Sequence, residues 1–187
     1  VLSRERIVDA AFSVLRDYGL ADLSMRRLAK ELGVQAGALY WHVPSKQDLL
    51  YGLAEVLLAD LPIAEQVPPA DAARQLALDL RHRLLGVQDS AEVVSLAQAL
   101  APYRLAPFAE LRRILDQDAV EGRGSRVLIH FMLGALAEEQ TRSSLISSGA
   151  VPAADSPTAV AEHAAEDFAF GVDAILSGLA AIPAPRA

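Results

Sequence analysis

SMRRLAKELGVQAGALYWHVPSKQD, residues 24–48, decides the fold. Ser24 can cap a short helix over 26–32, which places Leu28, Ala29 and Leu32 on one face. Gly33 follows where a left-handed C-cap residue belongs. Val34 and Leu39 are the next apolar anchors, so a second short helix runs through Gln35, Ala36, Gly37, Ala38, Tyr40, Trp41 and His42. Pro44 and Ser45 stop that helix and cap another, with Asp48 three residues after Ser45 as in a capping box. Helix, glycine turn and helix make a helix-turn-helix. An aromatic pair followed by a histidine is unusual on a surface unless something covers it. Burial in the small domain is the plain alternative for Tyr40 and Trp41.

Upstream, Ser3 caps a helix over 4–18, with Ile7, Ala11, Val14 and Tyr18 at helical spacing and Gly19 at its end. Downstream, a helix over 46–60 buries Leu49, Leu50, Leu53, Val56 and Leu57, and Pro62 stops it. Val67, Pro68 and Pro69 mark a boundary between a small N-terminal domain, 1–61, and a larger C-terminal one, 62–187. Further helices are expected over 69–85, 91–100, 107–117, 125–146 and 158–182, with a polar turn at 118–124, a loop at 147–157 and a tail at 183–187. No alternating strand pattern interrupts them, so the chain is all-α, with about nine or ten helices. The last two carry more apolar surface than one solvent-facing layer needs. Their small residues, Gly134, Ala135 and Ala137 in one and Ala169, Gly171 and Ala174 in the other, allow close approach. Pairing both with their two-fold mates would make a homodimer through 125–146 and 158–182; the alternative is that they only complete the core of their own chain.

The bulk composition narrows the function. The chain has 187 residues, 52% hydrophobic and 22% charged, which describes a globular protein. With no cysteine it has no disulfide framework and no thiolate metal site. No apolar run approaches the ~20 residues of a membrane span. The N-terminus enters a charged helix directly, without a signal peptide, so a cytoplasmic location is expected. A net charge of −7 argues against nucleic acid at first sight, but the distribution matters more than the sum. Within 24–48, Arg26, Arg27, Lys30 and Lys46 outnumber Glu31 and Asp48.

The first 60 residues or so resemble the tetracycline-repressor (TetR) family of transcriptional regulators. The resemblance is carried by Ile7-Val8-Asp9-Ala10-Ala11, Gly19, Leu23 to Ala29, Leu32-Gly33-Val34, and Ala38-Leu39-Tyr40-Trp41-His42-Val43 with Lys46, Leu49 and Leu50. It extends to the C-terminal half through Gln88 to Val93, His130 to Gly134, Glu138-Glu139-Gln140 and Phe170-Gly171-Val172, and is similar to the tetracycline-repressor subgroup itself. The resemblance implies a dimeric helix-turn-helix repressor released from operator DNA by a small molecule. It places Arg26 at a guanine edge, where a bidentate arginine gives about 1–3 kcal/mol of discrimination. It sets Ser24, Met25, Tyr40 and Lys46 near phosphates, and Gln35, Ala36, Gly37, Ala38, Trp41 and His42 on the base-reading helix and its end. Ala36, Gly37 and Ala38 carry no hydrogen-bonding side chain, so a different operator and more reliance on Arg26, Gln35 and DNA shape are expected.

The sensor half departs further from the family. At the positions aligned with the drug- and magnesium-holding side chains stand Pro62, Leu76, Leu80, Val94 and Pro107, which offer neither a metal ligand nor an amide. Only Glu138 survives from those metal surroundings. The expected effector is therefore a hydrophobic molecule, in a pocket of Leu76, Leu80, Val94, Leu100, Phe108, Leu111 and Phe131 with Glu138, and no metal or other cofactor is implied. A filled core that binds nothing is the alternative, which leaves a DNA-binding regulator with no small effector. An all-α enzyme or carrier is the third reading. His42, His82, His130 and His163 lie on different helices, and no nucleophile, phosphate-loop or metalloprotease motif appears, so no enzyme is expected.

Overall fold

The structure is a computed structural model that describes residues 1–64, 66–116, 122–152 and 157–182. Among the described residues it has nine α-helices and no strand. The expected tail at 183–187, most of the expected turn at 118–124 and residues 153–156 of the expected loop lie outside them.

Helix α1, Arg4–Tyr18, begins where the Ser3 hydroxyl accepts the Arg6 N–H at 3.3 Å, and it buries Ile7, Val8, Ala11, Val14 and Leu15. Helix α2, Met25–Leu32, is capped by the Ser24 hydroxyl, which accepts the Arg27 N–H at 3.2 Å. It ends at Gly33, whose φ of 66° is the left-handed value a glycine adopts without strain. Helix α3, Ala36–Tyr40, is shorter than the 35–42 stretch expected of it. The N–H groups of His42 and Val43 both turn back to the Leu39 carbonyl, which closes α3 in a tight turn.

Helix α4, Lys46–Leu57, starts on the expected cap: the Ser45 hydroxyl accepts the Asp48 N–H at 3.1 Å and donates to its carboxylate at 2.5 Å. It stops three residues before the expected end, and Asp60 just beyond takes a φ of 54°. Helices α5 (Pro69–Leu85), α6 (Ser90–Leu100), α7 (Ala106–Leu115), α8 (Arg123–Ser147) and α9 (Pro157–Ala180) follow, with ends within one or two residues of the sequence expectation.

One continuous core joins all of these helices. Helix α4 lies along α6, with Leu53, Ala54, Leu57 and Leu58 buried. Each such leucine contributes roughly 1.5–3 kcal/mol by leaving water. Val56, expected on that buried side, faces solvent instead. Helices α5, α6 and α7 pack on α8, and α8 packs on α9. Phe131 of α8 stands over Gly171 of α9, where an added Cβ would lie 2.0 Å from the ring. Two ion pairs tie α5 to this layer, Arg74 to Asp173 of α9 at 2.7 Å and Arg81 to Glu139 of α8 at 2.6 Å.

Candidate nucleic-acid interface and effector region

Leu28 and Ala29 of α2 and Leu39 of α3 are buried, and this turns the opposite sides of both short helices outward. Arg26, Lys30, Gln35, Gly37, Tyr40, Trp41, His42 and Lys46 are all exposed, as is Ser24, while Ala36 and Ala38 are half-buried. The burial alternative for the aromatic pair fails, since Tyr40 is 48% and Trp41 89% exposed. Met25 is the exception. Its side chain is buried in the core, so it offers this face only its backbone.

The two adjacent arginines have different surroundings. Arg27 pairs with Asp22 at 2.7 Å and lies over the Tyr18 ring. Arg26 makes no hydrogen bond or ion pair among the described residues and is exposed. His42 lies near Glu5 of α1. The Glu5 carboxyl is held below its ordinary range, chiefly by its own backbone N–H and the Ser3 hydroxyl, and least by His42. The face thus combines a free guanidinium, an ammonium at the start of α4, a phenol, an indole and an amide. These groups suit phosphate oxygens, base edges and thymine methyls.

In the C-terminal half, Leu76, Leu80, Val94, Phe108 and Leu111 are each at most 1% exposed and belong to the continuous core. Leu100 does not join them: it sits on the last turn of α6 and is 52% exposed. Phe131 is half-buried, with its ring centroid 5.8 Å from that of Phe168. Glu138 is exposed and lines a cleft of about 770 Å³ between α8 and α9, together with Glu139, Arg142, His163, Asp167 and Phe168. That cleft is more polar than the pocket expected from the sequence. A second, of about 500 Å³, lies between α7 and the segment after α4, lined by Ile63, Val67, Glu110 and Arg113 among others. His82, His130 and His163 are exposed, and no described helix is long and apolar enough to cross a membrane.

Sequence reasoning gave no role to Gln140 or Asp89. Gln140 donates to the Leu84 and Val87 carbonyls and to Ser90, and accepts from the Ala91 N–H. Asp89 accepts the Leu20 N–H at 2.8 Å. In the sequence both residues only helped to carry the family resemblance, because the partners of Gln140 lie about 50 residues away.

Comparison with known proteins agrees with this arrangement. Residues 7–52 match the model of bacterial regulatory proteins, tetR family. The tetracycline repressor protein class C of Escherichia coli is 34% identical over 146 residues, spanning 74% of this chain and 67% of that protein. The crystal structure of BioQ with its natural double-stranded DNA operator superposes with a TM-score of 0.80, at 30% identity, over 97% of this chain and 99% of that one. That of a TetR variant from Acinetobacter baumannii AYE, in complex with minocycline, gives 0.73 at 25% identity over 96% and 97%.

Proposed function

The chain belongs to the tetR family of bacterial regulatory proteins, DNA-binding transcription regulators rather than enzymes, and from that premise we propose a cytoplasmic, dimeric repressor that binds a palindromic operator and is released by a small molecule. The observation that carries the proposal is the outward face of α2, α3 and the start of α4, where Arg26, Gln35, Tyr40, Trp41, His42 and Lys46 stand exposed together. In this reading residues 1–61 bind DNA, and 62–187 bind the effector and dimerise. Ser24 and Lys46 contact phosphates, as does Met25 through its backbone alone. Ala36, Gly37 and Ala38 lie close to base edges without specifying them.

The dimer forms through α8 and α9. Val127 and Leu145 of α8 and Phe170 of α9 are exposed apolar residues, and Gly134 and Gly178 face open space. A second copy would cover that face, and two reading heads about 34–36 Å apart would then meet successive major grooves. Helix α4 joins each head to the sensor through Leu53 and Leu57, so a ligand that prefers one α4–α6 arrangement would change the separation of the heads.

The effector differs from a magnesium-chelated tetracycline. Leu76, Leu80 and Val94 offer no metal ligand and are buried. The cleft at Glu138 and Phe168 offers an opening for a small molecule of mixed apolar and polar character. A second reading, a regulator with no small effector, is favoured by the same close packing of Leu76, Leu80, Val94, Phe108 and Leu111. Selection of bound duplexes from a random DNA pool tests the main reading. Recovery of a palindrome supports it, and recovery of no sequence would refute it. Release of that duplex by added small molecules separates the two readings.

A further inference from the structure

The turn between α5 and α6 is held from both sides by polar contacts. On one side stands Gln140 of α8, whose amide nitrogen donates to the carbonyls of Leu84 at 3.0 Å and Val87 at 2.8 Å and to the Ser90 hydroxyl at 3.1 Å. Its amide oxygen accepts the Ala91 N–H at 3.2 Å. Ser90 is fully buried and donates in turn to the Leu84 carbonyl at 2.6 Å. One side chain of α8 thus satisfies groups at the end of α5 and the start of α6. The preceding residue, Glu139, is pinned to Arg81 of α5, which fixes where Gln140 stands.

On the other side the turn meets the DNA-binding head. Asp89 occupies the N-cap position of α6, but its carboxylate makes no cap bond to that helix. It accepts the Leu20 N–H instead, just after α1, at 2.8 Å. Gly19 beside it has a φ of 78°, and a Cβ there would stand 2.7 Å from the Asp89 carboxylate. A helix start has left its own cap unmade to hold a backbone N–H of the other half of the chain.

The α4–α6 contact is apolar, and apolar packing is non-directional. It supports the head over a broad area, alongside the Arg104 guanidinium just after α6, which lies 5.1 Å from the centroid of the Tyr51 ring of α4. A hydrogen bond is directional, and one to a carboxylate is stronger than a neutral one. We propose that Gln140 and Asp89 are positioning residues for DNA reading, forming a strut that refers the angle of the head to α8. Because α8 also carries the proposed dimer face, the strut sets the distance between the two heads, and so the half-site spacing the dimer accepts. The proposal rests on the DNA-binding function above.

The test uses the full chain with Asp89→Gly, Asp89→Asn and Gln140→Leu. Glycine suits the Asp89 φ of 57° and removes the carboxylate without strain, whereas asparagine keeps an acceptor oxygen. Amide hydrogen exchange at Leu20 is measured without DNA, and each variant is then taken through selection from a random duplex pool. Asp89→Gly is expected to speed Leu20 exchange about tenfold and to weaken binding to the parent's best duplex about tenfold, as loss of a bond to a charged group implies. The preferred bases within each half-site stay as in the parent while the preferred spacing shifts or broadens. Gln140→Leu, where folded, gives the same spacing change, and Asp89→Asn restores most of the parent behaviour. Unchanged Leu20 exchange in Asp89→Gly, or unchanged spacing and affinity, overturns the strut. A parent chain that selects no duplex overturns the DNA-reading role together with the proposed function, whereas the exchange result judges the bond to Leu20 independently.

Discussion

The guanidinium carbon of Arg27 lies 3.9 Å from the centroid of the Tyr18 ring. With the Asp22 ion pair, this stacking commits Arg27 to the join between α1 and α2 and leaves Arg26, one residue earlier, extended into solvent. The two arginines therefore respond differently to truncation. Arg26→Ala is expected to cost about 1–3 kcal/mol of discrimination at one base pair. Arg27→Ala should leave base preference intact and lower stability by up to about 1 kcal/mol, the scale of an exposed cation–π contact and ion pair. Equal loss of base preference in both variants, measured by binding to single-substitution duplexes, would count against the division.

Gly37 has open space where a Cβ would stand, and its φ is not in the left-handed region. Gly37→Asn should therefore fold. It adds an amide to a reading surface that is otherwise bare from Ala36 to Ala38, so the selected operator should change at the base pairs facing that position. An unchanged operator would place Gly37 away from the DNA.

Phe108→Ala and Leu80→Ala should each destabilise by about 2–5 kcal/mol in denaturant titration, because both side chains are fully buried and their removal leaves a cavity. A cost near zero would mean that these residues line open space, as an apolar effector pocket requires.

Gly171→Ala should be destabilising by about 1–3 kcal/mol, since the new methyl would overlap the Phe131 ring, itself packed on Phe168. Adding Phe131→Leu should recover part of the loss. Thermal unfolding of the single and double variants checks the pairing, and additive losses would refute it.

The Arg113 guanidinium, hydrogen-bonded to the Glu110 carboxylate, holds that carboxyl below its ordinary range. A carboxyl lowered in the folded state adds stability above its unfolded pKa, and that stability is lost as pH falls through the folded one. Glu110→Gln should flatten the acid limb of the stability curve slightly and change little at neutral pH. Equal acid sensitivity in parent and variant would show that the pair contributes nothing measurable.

Much of this molecule is written locally. Ser3, Ser24 and Ser45 cap the helices they were expected to cap, because a cap needs only a hydroxyl and N–H groups three residues on. Gly33 ends α2 for an equally local reason, its positive φ. The periodic leucines of α4, Leu49, Leu50, Leu53 and Leu57, marked its buried face, since helical spacing alone puts them on one side. The family motif at 38–43 also lies within one short segment.

Other features depend on neighbours distant in sequence. Met25 has a position next to the reading face in the chain, but α2 turns its side chain into the core. Tyr40 and Trp41 carry the composition of core residues, yet Leu39 alone anchors α3 and leaves them outside. Leu100 shares the periodicity of its helix, but on the last turn of α6 it is left exposed among the described residues. Gln140 is one polar residue in the sequence and the hub of the α5–α6 turn in space. Helices, caps and family are legible in the order of residues, because hydrophobic period and capping act over a few residues. Tertiary structure alone decided which arginine is free, which aromatic rings face outward and what joins the head to α8, because those outcomes depend on packing between segments that the chain's order does not bring together.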